Sequence, residues 1–281
     1  MKPEISVVLP TKDEEGVFHV ISKLRKAFGN KVEIIIVDKS GKEYHKRLGR
    51  TGATVVWQKD RGVENAIIEG MKHTHAGILA TIDADDTHDT SGIVDGYRLI
   101  KRGKADLVLG DRTAGIEPGA MSGYLRFGNS ALSVIYDLFY KQRTHDVLTG
   151  LQVMKREVYE RVKDNRFFKK EILFFQIEAA RNGYRIADVP IKYYVRRYGE
   201  SKLTKSKFLY GFSTAWHILK RSPNYRSFMV FGTIGAALMI IGFAALLRAL
   251  WLHAAVVYVL APFGLFLLGL ASLVLSFSLK F

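Results

Sequence analysis

Gly77-Ile-Leu-Ala-Thr-Ile-Asp83-Ala-Asp85 is the stretch that decides how this chain folds. The run from Gly77 to Ile82 is short, uncharged and apolar, as in a strand buried on both faces of a parallel sheet. Asp83 and Asp85 then leave its carboxyl end, one residue apart. An open α/β sheet binds its ligands at that edge, and paired hard oxygen donors there can hold a divalent cation against phosphate oxygens. An Asp-x-Asp pair by itself is a weak signal, because carboxylates also cap helices and fill turns. Its place at the end of a buried strand strengthens it. Asp86, Thr87, His88 and Asp89 follow at once; His88 reads as a ligand or a phosphate contact, though a histidine in a polar loop is more often simply solvated.

Outward from this strand, Val/Ile/Leu-rich runs alternate with stretches of helical spacing. The runs are Ile5 to Leu9, Val32 to Val37, Thr54 to Trp57, Ile78 to Ile82 and Ala105 to Leu109. The helical stretches are Glu15 to Phe28, Val63 to Thr74 and Gly92 to Arg102. That rhythm predicts an α/β fold with a mostly parallel, Rossmann-like sheet. After Gly110 a glycine-rich loop (Gly115, Gly119, Gly123) is expected to lead into a helix from Phe127 to Tyr140. Arg112 lies just past a strand, at the ligand edge. Arg126 and Ser130, four residues apart, share one helix face. Arginine is preferred where a planar fork must grip phosphate.

The chain carries 42 Lys+Arg against 27 Asp+Glu, a formal +15, which calls for an anionic partner: nucleic acid, lipid headgroups or a phosphorylated substrate. With no cysteine, disulfides, thiolate nucleophiles and cysteine metal sites are excluded. Ile5 to Leu9 is too short for a signal-peptide core and reads as the first strand. From Phe228 to Leu247, and again from Ala254 to Phe277, the sequence is apolar or small throughout. Each stretch is long enough to cross a bilayer as a helix, which needs ~20 residues. Upstream stand Arg196, Arg197, Lys202, Lys205, Lys207, Lys220, Arg221 and Arg226, whereas Arg248 and His253 stand between the stretches. The positive-inside bias places the N-terminal domain on the cytoplasmic face of a cell membrane, with the chain crossing it in more than one pass. The basic residues crowd before the apolar stretches, so acidic lipid accounts for them and no nucleic-acid partner is expected. Lys205 to Arg221 is a further helix with one apolar side, lying in the headgroup plane or docked on the domain.

Several motifs in order carry a resemblance. Val7-Val-Leu-Pro10-Thr-Lys-Asp-Glu14-Glu15, Ile35-Ile-Val-Asp38 and Asp83-Ala-Asp85 resemble the inverting GT-A glycosyltransferases of family 2. Gly110-Asp-Arg112 with Arg126-Phe-Gly-Asn-Ser130, Asp146-Val-Leu-Thr149-Gly150, and Arg196-Arg-Tyr-Gly199-Glu-Ser201-Lys202 narrow it to the polyprenyl-phosphate sugar transferases, the group that includes the dolichyl-phosphate mannose synthases. The resemblance spans about Glu4 to Leu203. It implies a GT-A domain over 1–203; the apolar and basic patterns read above add an interfacial region over 204–226 and two transmembrane helices over 227–281, which also fit that family.

The resemblance further implies that Asp83, Asp85 and Thr87 hold Mg²⁺ or Mn²⁺, and that Pro10, Glu14, Asp38, Asp83, Ala84 and Asp85 line the nucleotide-sugar pocket. Arg112, Arg126, Ser130, Arg196 and Lys202 match acceptor-phosphate positions, with Asp85, Arg112, Arg126 and Arg196 carrying catalysis. The expected partners are a nucleotide-sugar donor, a polyprenyl or dolichyl phosphate acceptor and the bilayer; the sequence leaves open whether the chain forms a homo-oligomer. The expected reaction is inverting transfer of a hexose, mannose before glucose, from GDP-mannose or UDP-glucose. Its rivals are a transferase acting on a hydroxyl and a membrane-tethered nucleotide-binding protein without turnover. Lys12-Asp13, Lys39 and Asp86 depart from the family pattern, mainly where the base is read. A Gln-x-x-Arg-Trp motif is absent, which argues against a polymerising synthase.

Overall fold

The sheet is built around a strand that cannot be anything else. In Ile5–Thr11 (β1), Ile5, Val7 and Leu9 pack on one face and Val8 on the other, all without solvent exposure. The computed structural model describes residues 2–163, 174–199, 207–251 and 256–278. After β1 come α1 (Gly16–Phe28), β2 (Val32–Asp38), α2 (Lys42–Gly49), β3 (Thr54–Trp57), α3 (Val63–Met71), β4 (Ile78–Thr81) and α4 (Ser91–Lys101). Then follow β5 (Leu107–Ile116), α5 (Gly123–Tyr140), β6 (Gln152–Lys155), α6 (Arg156–Val162), α7 (Phe174–Arg181), β7 (Ile186–Tyr193), α8 (Lys207–Arg221), α9 (Tyr225–Ser227), α10 (Thr233–Trp251) and α11 (Val256–Ser278). The seven strands lie in the order β3-β2-β1-β4-β6-β5-β7. All pairings are parallel except those of β6, which runs antiparallel between β4 and β5. This is the expected mostly parallel α/β sheet of the GT-A type.

Because β6 is reversed, its amino end lies beside the carboxyl end of β4 and beside the part of β5 that leads into Arg112: Gln152 pairs with Thr81 and with Leu109. The segment Asp146–Gly150 is thereby delivered to the ligand edge. β7, parallel to β5, ends at the same edge and hands the chain on toward Arg196.

Two sequence expectations change. Gly115 belongs to β5 rather than to a loop, because β5 continues through a bulge between Asp111 and Gly115 and pairs there with Lys192 and Tyr193. The helix predicted from Phe127 begins at Gly123, where the Ser122 hydroxyl accepts from the Leu125 N–H at 3.4 Å. β6, β7, α2, α6 and α7 were not anticipated.

The chain divides into two units, Met1–Asp137 with Lys141–His217, and Leu138–Tyr140 with Ile218–Phe281. In the second, Tyr225–Arg248 forms one helix long and apolar enough to cross a membrane, with mean hydropathy 2.3. Within α11, Ala261–Phe277 is a further apolar helical stretch. α10 and α11 pack with near backbone contact: a Cβ on Gly235 would stand 2.6 Å from the Gly269 carbonyl, and one on Gly242 would stand 2.8 Å from the Pro262 carbonyl. Small residues at such crossings are characteristic of helices in lipid. Outward side chains on the pair are bare hydrocarbon, including Ile240, Ile241, Leu268 and Val274.

Candidate active site

The backbone sets Asp83 and Asp85 in different surroundings. Asp85 is nearly buried and accepts the Thr87 amide N–H at 3.1 Å and the Thr87 hydroxyl at 2.7 Å on one oxygen. Its other oxygen accepts from Arg196 Nη2. Burial pushes Asp85 up, but the Thr87 hydroxyl and the nearby positive charges outweigh it and hold the carboxyl below its usual range. Asp83 points into the opening with its side chain 41% exposed. Crowding by protein and the neighbouring Asp85 charge raise its pKa. The carboxylate lies against Gly150, where a Cβ would come within 2.5 Å of Oδ2 and displace it. The Thr81 hydroxyl donates to the Gly150 carbonyl at 2.9 Å and fixes that approach. His88 is fully enclosed, with Nδ1 3.7 Å from Asp83, an edge contact to Tyr193, and Nε2 without a partner. Burial depresses its pKa.

Facing them is a clamped arginine. Arg112 donates Nε and Nη2 to the two oxygens of Asp146 at 2.6 and 2.8 Å, and its main-chain N–H to the same carboxylate at 3.1 Å. Asp146 is fully buried and also accepts from Asn129 Nδ2 of α5 at 2.9 Å. Burial would raise Asp146, yet the guanidinium reverses this, and Arg112 is pushed above its ordinary range in return. The Arg112 guanidinium also sits over the Tyr193 ring, 5.4 Å from its centroid. Ser133 bonds both the His145 carbonyl and the Val147 N–H, locking α5 onto this segment. The charges of Arg112 and Arg196 both reach Asp83.

The sequence expectations therefore divide. Asp83, Asp85, Thr87, Glu14, Arg112 and Arg196 come together, with Ala84 buried between the aspartates. Arg196 rests on the acidic side, bonded to Glu14 at 3.3 Å as well as to Asp85. Thr87 spends its hydroxyl on Asp85. Arg126 and Ser130 are exposed on α5, on the same helix as Asn129. Asp38 ends β2 fully buried, with its oxygens taken by Ser40 (2.9 and 2.5 Å) and His45 (2.9 Å). Pro10 is partly buried in β1, whereas Ser201, Lys202 and Lys205 lie outside the described residues.

Tyr193 and Tyr210 carry no motif signal. Burial and the Glu64 charge push Tyr210 up to about 12, and Arg112 and Asp83 are within its electrostatic reach. Asn129 and Gly150 were legible only as members of quoted motifs. Among the described residues no three acidic or histidine side chains converge as a metal cage. Two carboxylates with the remaining positions left to diphosphate and water still suit Mg²⁺ or Mn²⁺.

The chain is similar to several known proteins. The family described as Glycosyl transferase family 2 matches residues 6–163. The dolichyl-phosphate hexose transferase of Haloferax volcanii is 30% identical over 204 residues, 71% of this chain and 86% of that protein. The low-salt glycan biosynthesis hexosyltransferase Agl6 of the same organism is 27% identical over 88% of this chain, which spans 60% of the length of that relative. The dolichol-phosphate mannosyltransferase of Pyrococcus furiosus is 25% identical, and this chain spans 59% of its length. The fold matches glucosyl-3-phosphoglycerate synthase from Mycobacterium tuberculosis, solved with Mn²⁺, UDP-glucose and phosphoglyceric acid, at TM-score 0.58 and 19% identity over 78% of this chain and 79% of that one. The chain is a glycosyltransferase and belongs to glycosyl transferase family 2.

Proposed function

We propose that the protein transfers a hexose, with inversion, from a nucleotide sugar to a polyprenyl or dolichyl monophosphate at a membrane surface. The observation that carries this reading is the clamped Arg112 facing the Asp83–Asp85 pair across one sheet edge. Asp83 and Asp85 would hold a divalent cation, which when bound supplies neutralisation of the charge that develops on the leaving diphosphate. Thr87 keeps Asp85 oriented, and Gly150 lets Asp83 stand forward.

A lipid monophosphate has a second pKa of about 6, so it arrives largely as a dianion and needs no strong base. It needs placement instead. Arg112, immobilised by Asp146 and Asn129, offers a fixed positive charge, and Arg126 and Ser130 extend the anion-binding surface along α5. Asp146 is consumed by Arg112, which argues against its serving as the base that a hydroxyl acceptor would require. Displacement by phosphate oxygen inverts the anomeric centre. Mannose from GDP-mannose is favoured and glucose from UDP-glucose comes next. The Haloferax and Pyrococcus relatives support the acceptor class.

The membrane reading rests on the apolar helix Tyr225–Arg248, on exposed Phe212 and Trp216 of α8, and on Tyr124, Phe127 and Val134, which stand bare along α5. An apolar stripe beside basic residues suits the headgroup boundary. The test is to incubate the full chain in lipid nanodiscs with GDP- and UDP-sugars, a polyprenyl phosphate and Mg²⁺ or Mn²⁺. The expected product is a β-linked lipid-phosphate sugar from an α-linked donor. Transfer to lipid hydroxyls and never to phosphate would defeat the reading.

A further inference from the structure

Arg196 stands at the carboxyl end of β7, and its guanidinium forks between two acids that the donor side needs. Nη2 bonds Asp85 and Nη1 bonds Glu14 at 3.3 Å. Glu14 comes from the loop after β1 and Asp85 from the loop after β4, so one cation joins carboxylates carried by two strands. The side chain is 23% exposed. A planar fork spanning two carboxylates hydrogen-bonds both at once and offsets one of their two charges without needing water or metal. It also competes directly with any divalent cation for Asp85. Arg112, by contrast, is held by Asp146 through both Nε and Nη2.

We infer that Arg196 is a positioning residue that couples the two halves of the site: it pairs with Asp85 and Glu14 before the donor complex arrives, and is turned out toward the acceptor phosphate when that complex takes over those carboxylates. The two cationic residues then differ in role. Arg112 is a permanent charge, whereas Arg196 becomes available to the acceptor only after donor loading. Donor and acceptor binding are linked through one side chain, and the linkage is reciprocal. This inference rests on the proposal that Asp85 binds a divalent cation.

The test measures Mn²⁺ binding calorimetrically to the full chain in nanodiscs, without nucleotide. Arg196→Ala should bind Mn²⁺ on the order of tenfold more tightly than wild type, within the span usual for coupled sites. Arg196→Lys, which keeps the charge but loses the fork, should fall between and carries the comparison if the alanine variant misfolds. In wild type, Mn²⁺ with GDP or UDP should strengthen binding of farnesyl phosphate about fivefold or more, and Arg196→Ala should abolish that gain. Unchanged or weaker Mn²⁺ binding by both Arg196 variants, or an equal acceptor gain in wild type and variant, would overturn the inference. Asp85→Asn separates the two failures. If it abolishes Mn²⁺ binding while the Arg196 variants behave as wild type, only the coupling falls; if it binds Mn²⁺ as wild type does, the metal reading falls with it.

Discussion

At the scale of single residues, charges in this site are useful because other residues restrain them. In the proposed reaction Arg112 would place a phosphate only while Asp146 grips it, and Asp146 is tolerable in the interior only because Arg112 and Asn129 satisfy it. Asp146→Asn should therefore cost about 3–5 kcal/mol in denaturant unfolding, the penalty of leaving one member of a buried pair unmatched. It should also raise the KM for polyprenyl phosphate more than that for the nucleotide sugar. Gly150→Ala tests the opposing wall: its Cβ would sit 2.5 Å from Asp83 Oδ2 and push the carboxylate out of place. Calorimetry should show Mn²⁺ affinity reduced roughly tenfold or more, with stability lowered by about 1–3 kcal/mol. These acids and arginines were legible as candidates because they lie in motifs. Their division of labour was not, since nothing in the spacing of Arg112, Asp146 and Arg196 says which arginine is locked and which rests on Asp85.

At the scale of elements, the reversed strand β6 does most to assemble the site, and the sequence pattern passed over it. Gln152-Val-Met-Lys155 is only four residues long, too short to show a period. Its place is held at the opposite end of the sheet by Asp106, which accepts from Arg185 Nε and Nη2 at 3.0 Å, from the Arg185 N–H at 2.9 Å and from Lys155 Nζ at 2.6 Å. One carboxylate thus ties β5, β6 and β7 together. The Arg185 and Lys155 bonds hold its pKa well below the usual carboxylate range. With the folded pKa depressed, its stabilisation is fully present above the unfolded value of about 4 and is lost as pH falls below that toward the folded value. Asp106→Asn should be less stable than wild type near neutrality, and the gap should narrow steadily as unfolding is followed below about pH 4. A constant gap would mean the carboxylate is not the source.

At the scale of the whole molecule, the chain joins a charged α/β unit to a unit whose described helices expose many apolar side chains. If Tyr225–Arg248 spans lipid, Ile240→Arg, at a position 69% exposed, should cost about 2.5–3.5 kcal/mol of insertion and shift the protein out of the carbonate-resistant membrane fraction. A surface helix in water would accept the same substitution with little change. The sequence by itself determined the parallel α/β character, the Asp83–Asp85 pair at a strand end and the apolar carboxyl-terminal region, because burial on both strand faces and long apolar runs are written in local composition. Only the tertiary structure decided that Asp146–Gly150 meets Asp83, that Arg112 is clamped and that Arg196 lies across Glu14 and Asp85. Those contacts join residues 34 to 182 positions apart in the chain, and such pairings follow from strand order and direction, which no local pattern encodes.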